Sequence, residues 1–379
     1  VTPAAAADRL VAGCGAGAEH GPLGAVVGLR AGGAREIAAA GNRVPAVGAV
    51  AAEPATTDTR FDVASVTKAV ATTTALIRLV SDRSVGLDDR AAHYLPGFAG
   101  GGKDRITLRH LLLHRAGLWE WQPLYAAAPG DPAAAAALAE SLPLRHPPDT
   151  GRHYSDLGFM LLGRVIEAVT GADLNDAVSG LVTGPLSLHA TGFRPPPGAP
   201  VAASAFGDAA ERRMVATGDP YPVVVGTGGF DGWRDALVVG DANDGKAFHA
   251  FAGVSGHAGL FSTVGDMLTW ASVLADASAH DDLWDPRIVA EFTAPGPDAG
   301  QALGFRRYAR VIDGTPEVVV GHPGFTGCAV GFVPDRGVAL ALGTNRLVTR
   351  AAPVATDALW SEVLTAADTV PVHGRPARG

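Results

Sequence analysis

Ser65, Val66, Thr67 and Lys68 head a helix-patterned segment, and a serine followed three residues later by a lysine can do nucleophilic chemistry. A serine hydroxyl is a weak nucleophile until a neighbouring base takes its proton. Residues i and i+3 share one helix face, so Lys68 falls within reach of the Ser65 oxygen. Lysine is scarce, with only Lys68, Lys103 and Lys246 among 30 basic residues. Arginine keeps its proton in a protein, whereas a desolvated lysine can act as a base. A second cluster, Tyr154-Ser155-Asp156, precedes a helical run. A tyrosine near a lysine can shuttle a proton, while Asp156 reads first as the N-cap of a helix beginning at Leu157. A third is Gly321-His322-Pro323-Gly324-Phe325-Thr326-Gly327. Its glycines beside a strand let a ligand approach the backbone, and Pro323 argues for an edge strand.

These groups need elements to hold them. Apolar residues from Ala69 to Val80 keep a 3.6-residue period after Lys68. The first 13 residues read as a short helix with Ala5, Leu10 and Val11 on one side. Gly24 to Arg30 and Arg35 to Gly41 read as a hairpin. Helical segments follow at 108–114, 132–142, 157–169, 174–182 and 259–274, then strands at 308–312, 317–320, 328–333 and 338–342, and a last helix at 351–364. Strands at both ends with helices between predict an α+β fold in which the two halves of the chain close one sheet around a helical insertion. The divisions fall at 1–75 and 255–369 for the two parts of the α/β domain, 76–254 for a mainly helical domain, and 370–379 for a disordered tail.

Composition narrows the function classes. The 379-residue chain is 47% hydrophobic and carries a net charge of −8 without a basic stripe, which argues against nucleic acid and anionic membranes as partners. No apolar span is long enough to cross a bilayer. No charged n-region followed by an apolar core marks a signal peptide, so the expected location is cytoplasmic. Cys14 and Cys328 read as two free thiols rather than a disulfide framework. His110 and His114 have the i, i+4 spacing of zinc helices but Leu111 between them and no third ligand. Asp241-Ala242-Asn243-Asp244-Gly245 reads as a turn, not a calcium loop, and Gly13 to Gly17 is not a dinucleotide fingerprint. His257, flanked by glycines, reads first as a packing residue. No metal or other cofactor is expected, and no G-x-S-x-G elbow is present.

Taken in order, the three clusters resemble those of the broad class C β-lactamase-like and penicillin-binding-protein-like serine hydrolase family: Ser-x-x-Lys, Tyr-x-Asn and Lys/His-x-Gly. Ile106 to Leu118, Tyr154 to Gly171 and Ser255 to Asp266 are similar to it as well, and the resemblance runs from about Gly24 to about Asn345. It implies an antiparallel sheet flanked by terminal helices, a helical domain, and a site between them. Ser65 becomes the acylated nucleophile, Lys68 its partner base, and Tyr154 the group that assists proton transfer. The backbone N–H groups of Ser65 and Phe325 form the oxyanion hole, and Asp156, His322 and Gly324 contact the substrate. Two departures bear on substrate choice. Asp156 stands for Asn, so it only accepts hydrogen bonds and favours a charged Lys68, which shifts the burden of base toward Tyr154. His322 offers an imidazole, mostly neutral at pH 7, where a fixed lysine holds the penicillin carboxylate. The expected activity is hydrolysis of a small ester or amide through an acyl enzyme, with water as acceptor. The alternatives are acyl transfer to an amine or alcohol in natural-product assembly, a D-amino-acid peptidase or weak β-lactamase, and an inactive binding protein. Oligomeric state is not legible.

Overall fold

The computed structural model describes residues 2–13, 21–349 and 352–368; Cys14 and the 370–379 tail lie outside them. A seven-stranded antiparallel sheet is built from β1 (Gly24–Ala31), β2 (Ala34–Val44), β3 (Glu53–Pro54), β4 (Arg306–Ile312), β5 (Thr315–Pro323), β6 (Ala329–Val333) and β7 (Val338–Thr344). Its order is β3-β2-β1-β7-β6-β5-β4. The junction of the chain's two halves is the β1–β7 ladder, running from Ala25 opposite Thr344 to Arg30 opposite Ala339. The hairpin and the closure of the sheet by both termini are as the alternation of apolar residues implied.

The period of two decides which layer each side chain joins. Ala25, Val27, Leu340 and Leu342 point to one face, where they pack with Ala6, Ala7 and Leu10 of α1 (Pro3–Ala12) and with Leu359, Trp360 and Val363 of the C-terminal helix (Thr356–Ala367). Ala5 of α1 is exposed, so the buried stripe of that helix lies one residue round from the one the sequence suggested. Val26, Ala339 and Ala341 point to the other face, against the main core. The last helix begins at Thr356 rather than 351 because the residue before Pro353 is held out of helical geometry.

The Ser65 segment is buried in the main core. A π-helical turn, Lys68–Thr73, runs into α2 (Thr74–Ser81), and every residue of that turn is buried. The sequence pattern implied an ordinary helix here; π-bulges are rare and concentrate at functional sites. Helix α3 (Asp156–Thr170) follows Tyr154, and α4 (Val264–Ala275) covers the inner face of the sheet. The segment between α2 and α4 also carries short strands, 192–193, 203–206 and 237–239. One correction concerns Pro323. Strand β5 is interior, between β6 and β4. Its pairing with β4 stops at Gly321 opposite Arg306, while pairing with β6 continues to Pro323 opposite Ala329. The proline sits where one neighbour has already run out, so its missing N–H interrupts no ladder.

Candidate active site

Ser65 follows Ala64, a buried non-glycine residue at φ 46°. Such a left-handed residue costs energy and persists only where its surroundings impose it. Asp62 imposes it here: its Oδ1 accepts from the Ala64 N–H at 2.7 Å and its Oδ2 from the Asn243 N–H at 2.6 Å. The end of β5 then presses onto this turn. A Cβ on Gly324 would stand 2.2 Å from the Val63 carbonyl oxygen, so only glycine lets residues 324–325 approach Ser65. Neither the Ser65 nor the Phe325 N–H has an acceptor among the described residues, as a pair reserved for a developing oxyanion requires.

Lys68 is fully buried, and its Nζ donates to Ser65 Oγ at 2.9 Å, Asp156 Oδ1 at 2.8 Å and the His257 carbonyl at 3.1 Å. Burial works against its charge, but the Asp156 carboxylate and Tyr154 outweigh it and hold Lys68 above its usual range. All three ammonium protons are engaged, so this lysine is a donor to Ser65. Asp156 is not the N-cap of α3, contrary to the sequence reading. Ser155 is: its Oγ accepts from the Gly158 N–H at 3.2 Å and donates to the Trp119 carbonyl at 2.7 Å. That frees Asp156, the first helical residue, to face Lys68.

Tyr154 is gripped on several sides. His114, discounted as a zinc ligand, packs its ring 4.5 Å from the Tyr154 ring, and its Nδ1 accepts from the Ser155 N–H at 3.0 Å. His110 turns away to cap its own helix. Lys68 Nζ lies 5.0 Å and the Arg152 guanidinium 5.5 Å from the Tyr154 ring centroid. Arg152 Nε donates to Gln301 at 2.7 Å, and its two Nη groups have no partner among the described residues. His322 lies across the cleft, its ring 6.1 Å from that of Tyr154. Its Nδ1 donates to the Pro323 carbonyl at 2.7 Å, which leaves Nε2 as the acceptor of a neutral ring. Burial and the nearby Lys68 push its pKa down to about 3.

Behind Asp156 lies a group whose members the sequence analysis named singly without joining them to the site. Lys246, fully buried, donates to Asp156 Oδ2 at 3.1 Å and Asp244 Oδ2 at 3.0 Å. His257 Nε2 donates to Asp244 Oδ1 at 3.0 Å and its Nδ1 accepts from Ser255 Oγ at 2.8 Å. Asp156, Asp244 and His257 are close enough together to hold a metal, but the Lys246 ammonium already bridges the two carboxylates. Glu120, His146 and His153 form another such group. There Arg145 pairs with Glu120, and the two imidazoles stack flat at 3.6 Å, a poor orientation for converging on one ion. The signal that could have found Lys246 was the scarcity of lysine.

A buried, strained serine turn, two unused backbone donors and a lysine–tyrosine pair on an antiparallel sheet are the parts of an acyl-transferring serine hydrolase. Residues 7–364 match the Beta-lactamase family, and the chain belongs to it. It is 32% identical over 314 residues to a protein of Escherichia coli (strain K12) named "Putative D-alanyl-D-alanine carboxypeptidase", covering 77% of this chain and 70% of that one. Among solved structures, SurE is 27% identical with a TM-score of 0.63, over 94% of this chain and 74% of that one. EstCE1, "a hydrolase with promiscuous acyltransferase activity", shares the fold at 21% identity and TM-score 0.68, over 92% and 94%.

Two outcomes follow from this packing. Gly324→Ala should abolish turnover by forcing β5 off the Ser65 turn, read as a loss of at least about a hundredfold in kcat/KM with the protein still folded by circular dichroism. The second concerns acid. His114, His257 and His322 are buried neutral, with pKa values lowered chiefly by burial. The unfolded chain therefore binds more protons than the native one once pH falls below about 6.5, and each histidine removes up to about 1.4 kcal/mol of stability per pH unit. Asp62, raised to about 6 by burial, and Glu211, raised to about 8 chiefly by burial, work in the opposite sense as pH falls. Near pH 7 these terms roughly cancel, and below about pH 6.5 the three histidines outweigh the two carboxyls, so the urea midpoint should fall from about pH 6.5 to pH 5. A flat midpoint over that range would show that these imidazoles are not held neutral.

Proposed function

We propose that the chain hydrolyses small esters or amides through an acyl-Ser65 intermediate, with Tyr154 relaying the proton. The observation that carries this reading is the saturated Lys68 ammonium 2.9 Å from Ser65 Oγ. A lysine with three acceptors orients the hydroxyl and favours negative charge nearby, and the proton must go elsewhere. Tyr154, between Lys68 and Arg152, relays it: its phenol oxygen accepts the Ser65 proton as Oγ attacks the acyl carbon, and the phenol's own proton passes to the leaving group. The N–H groups of Ser65 and Phe325 receive the charge on the carbonyl oxygen. Water, or another acceptor, then resolves the ester at Ser65 by the same relay.

A second reading, a substrate carrying a free carboxylate as in a D-configured peptide, is favoured by the two unpartnered Nη groups of Arg152 beside Tyr154. The relative named as a carboxypeptidase points the same way. It supplies a cation where His322 offers none, but Asp156 still lacks the amide donor of the family's asparagine.

Intact-mass spectrometry with a slow acylating ester should find the adduct on the Ser65 peptide and none in Ser65→Ala; an adduct elsewhere overturns the assignment. Tyr154→Phe should lose about 10² or more in kcat, as for removal of a general acid–base group. Assayed on one preparation, p-nitrophenyl acetate or butyrate should exceed nitrocefin in kcat/KM. Parity would mean that an aspartate at this position does not disfavour β-lactams.

A further inference from the structure

We propose that Lys246 is a positioning residue of this site: it is the counter-charge that allows an aspartate to stand at position 156. The inference rests on the acyl-Ser65 reading and goes beyond it. Lys68, Asp156, Lys246 and Asp244 form one row in which each fully buried ammonium meets a mostly buried carboxylate at 2.8 to 3.1 Å. The charges alternate and sum to zero. The other titratable groups packed on the row leave that sum unchanged. His257 is neutral, its pKa lowered by burial. Glu211 is pushed up to about 8 by burial and by Asp244, so it is mostly protonated at pH 7. Tyr221 stays a phenol, its pKa raised by burial and by Asp156, and the Trp121 ring lies 5.2 Å from Lys246 Nζ.

An uncompensated charge in such a place is far more costly than a balanced pair. Asp156→Asn, although it installs the family's usual residue, leaves two ammonium groups against one carboxylate. Lys246→Gln leaves two carboxylates against one ammonium. Either change disturbs Lys68 and, through it, the Ser65 hydroxyl. The double variant restores the sum to zero and keeps a hydrogen-bonded chain. The side-chain amide introduced by Asp156→Asn accepts from Lys68 and donates to the carbonyl introduced by Lys246→Gln, whose own amide N–H donates to Asp244.

The test is this double-mutant cycle, read as kcat/KM for p-nitrophenyl butyrate from about pH 5 to 10 and as thermal midpoint, with Ser65→Ala in the same assay. Each single variant should lose at least about tenfold in kcat/KM and shift the pH profile, in opposite directions. The double variant should be more active and more stable than either single. Additive losses would overturn the proposal, since a lysine needed only for packing costs the same whichever residue occupies its neighbour's position. Should Lys246→Gln fail to fold, Asp156→Asn paired with Lys246→Met carries the same test, and a double variant no more stable than Asp156→Asn overturns it. If Ser65→Ala keeps its activity, the acyl-Ser65 reading fails instead, independently of the cycle.

Discussion

The buried contact between Lys68 and Asp156 is the constraint on which the site depends. Removing an ammonium and a carboxylate from water is expensive, and the mutual attraction offsets that cost only when every remaining proton and lone pair finds a partner. The chain meets this condition from four directions: the Ser65 turn, the start of α3, the His257 backbone and the Lys246–Asp244 turn. Each contributor comes from a different stretch of sequence, so the ion pair also fixes the helical segments against one another around Ser65. The contacts that offset the burial of Lys68 are the same ones that hold it at Ser65 Oγ.

The sheet supplies the other half. Because β1 pairs with β7 from opposite ends of the chain, the cleft wall formed by β5 belongs to one ladder network, while the Ser65 turn follows a short strand, residues 61–62, that pairs with residues 261–262 in a separate small sheet. Strain is concentrated at Ala64, where Asp62 ties down the turn, and the β5 end presses close enough that Gly324 cannot carry a side chain. The end of an interior strand pressed against a strained turn sets the two backbone N–H groups, with Asp62 as the side chain that fixes the turn.

Much of this was legible in the sequence, for physical reasons. Ser65 and Lys68 could be picked out because helix periodicity and short-range spacing act locally, Tyr154 joined them through the resemblance, and the strands followed from alternation. The cap at Ser155 was missed by one residue because serine and aspartate cap equally well, and only the Trp119 and Gly158 contacts decide between them. The π-helical turn left no local pattern to find. His114, Asp244 and Lys246 reach the site only through tertiary packing, whereas Arg152, two residues before Tyr154, arrives with it. Asp244 in particular read as an ordinary turn residue, which it also is, since its Oδ1 accepts from the Ala247 N–H.

Lysine usage ties these points together. Arginine carries most of the positive charge, and all three lysines are buried, Lys103 donating to the Glu140 carbonyl and the other two flanking Asp156. A guanidinium is planar and presents a fixed fork of donors, whereas an ammonium is compact and can point three protons at three acceptors in different directions. The acceptors around Lys68 are a hydroxyl, a carboxylate and a carbonyl from three separate segments, which a fork of coplanar donors would not match. The chain therefore keeps lysine where a point charge must fit a closed polar pocket, while Arg152, half-buried beside Tyr154, leaves its Nη groups free to meet what enters the cleft.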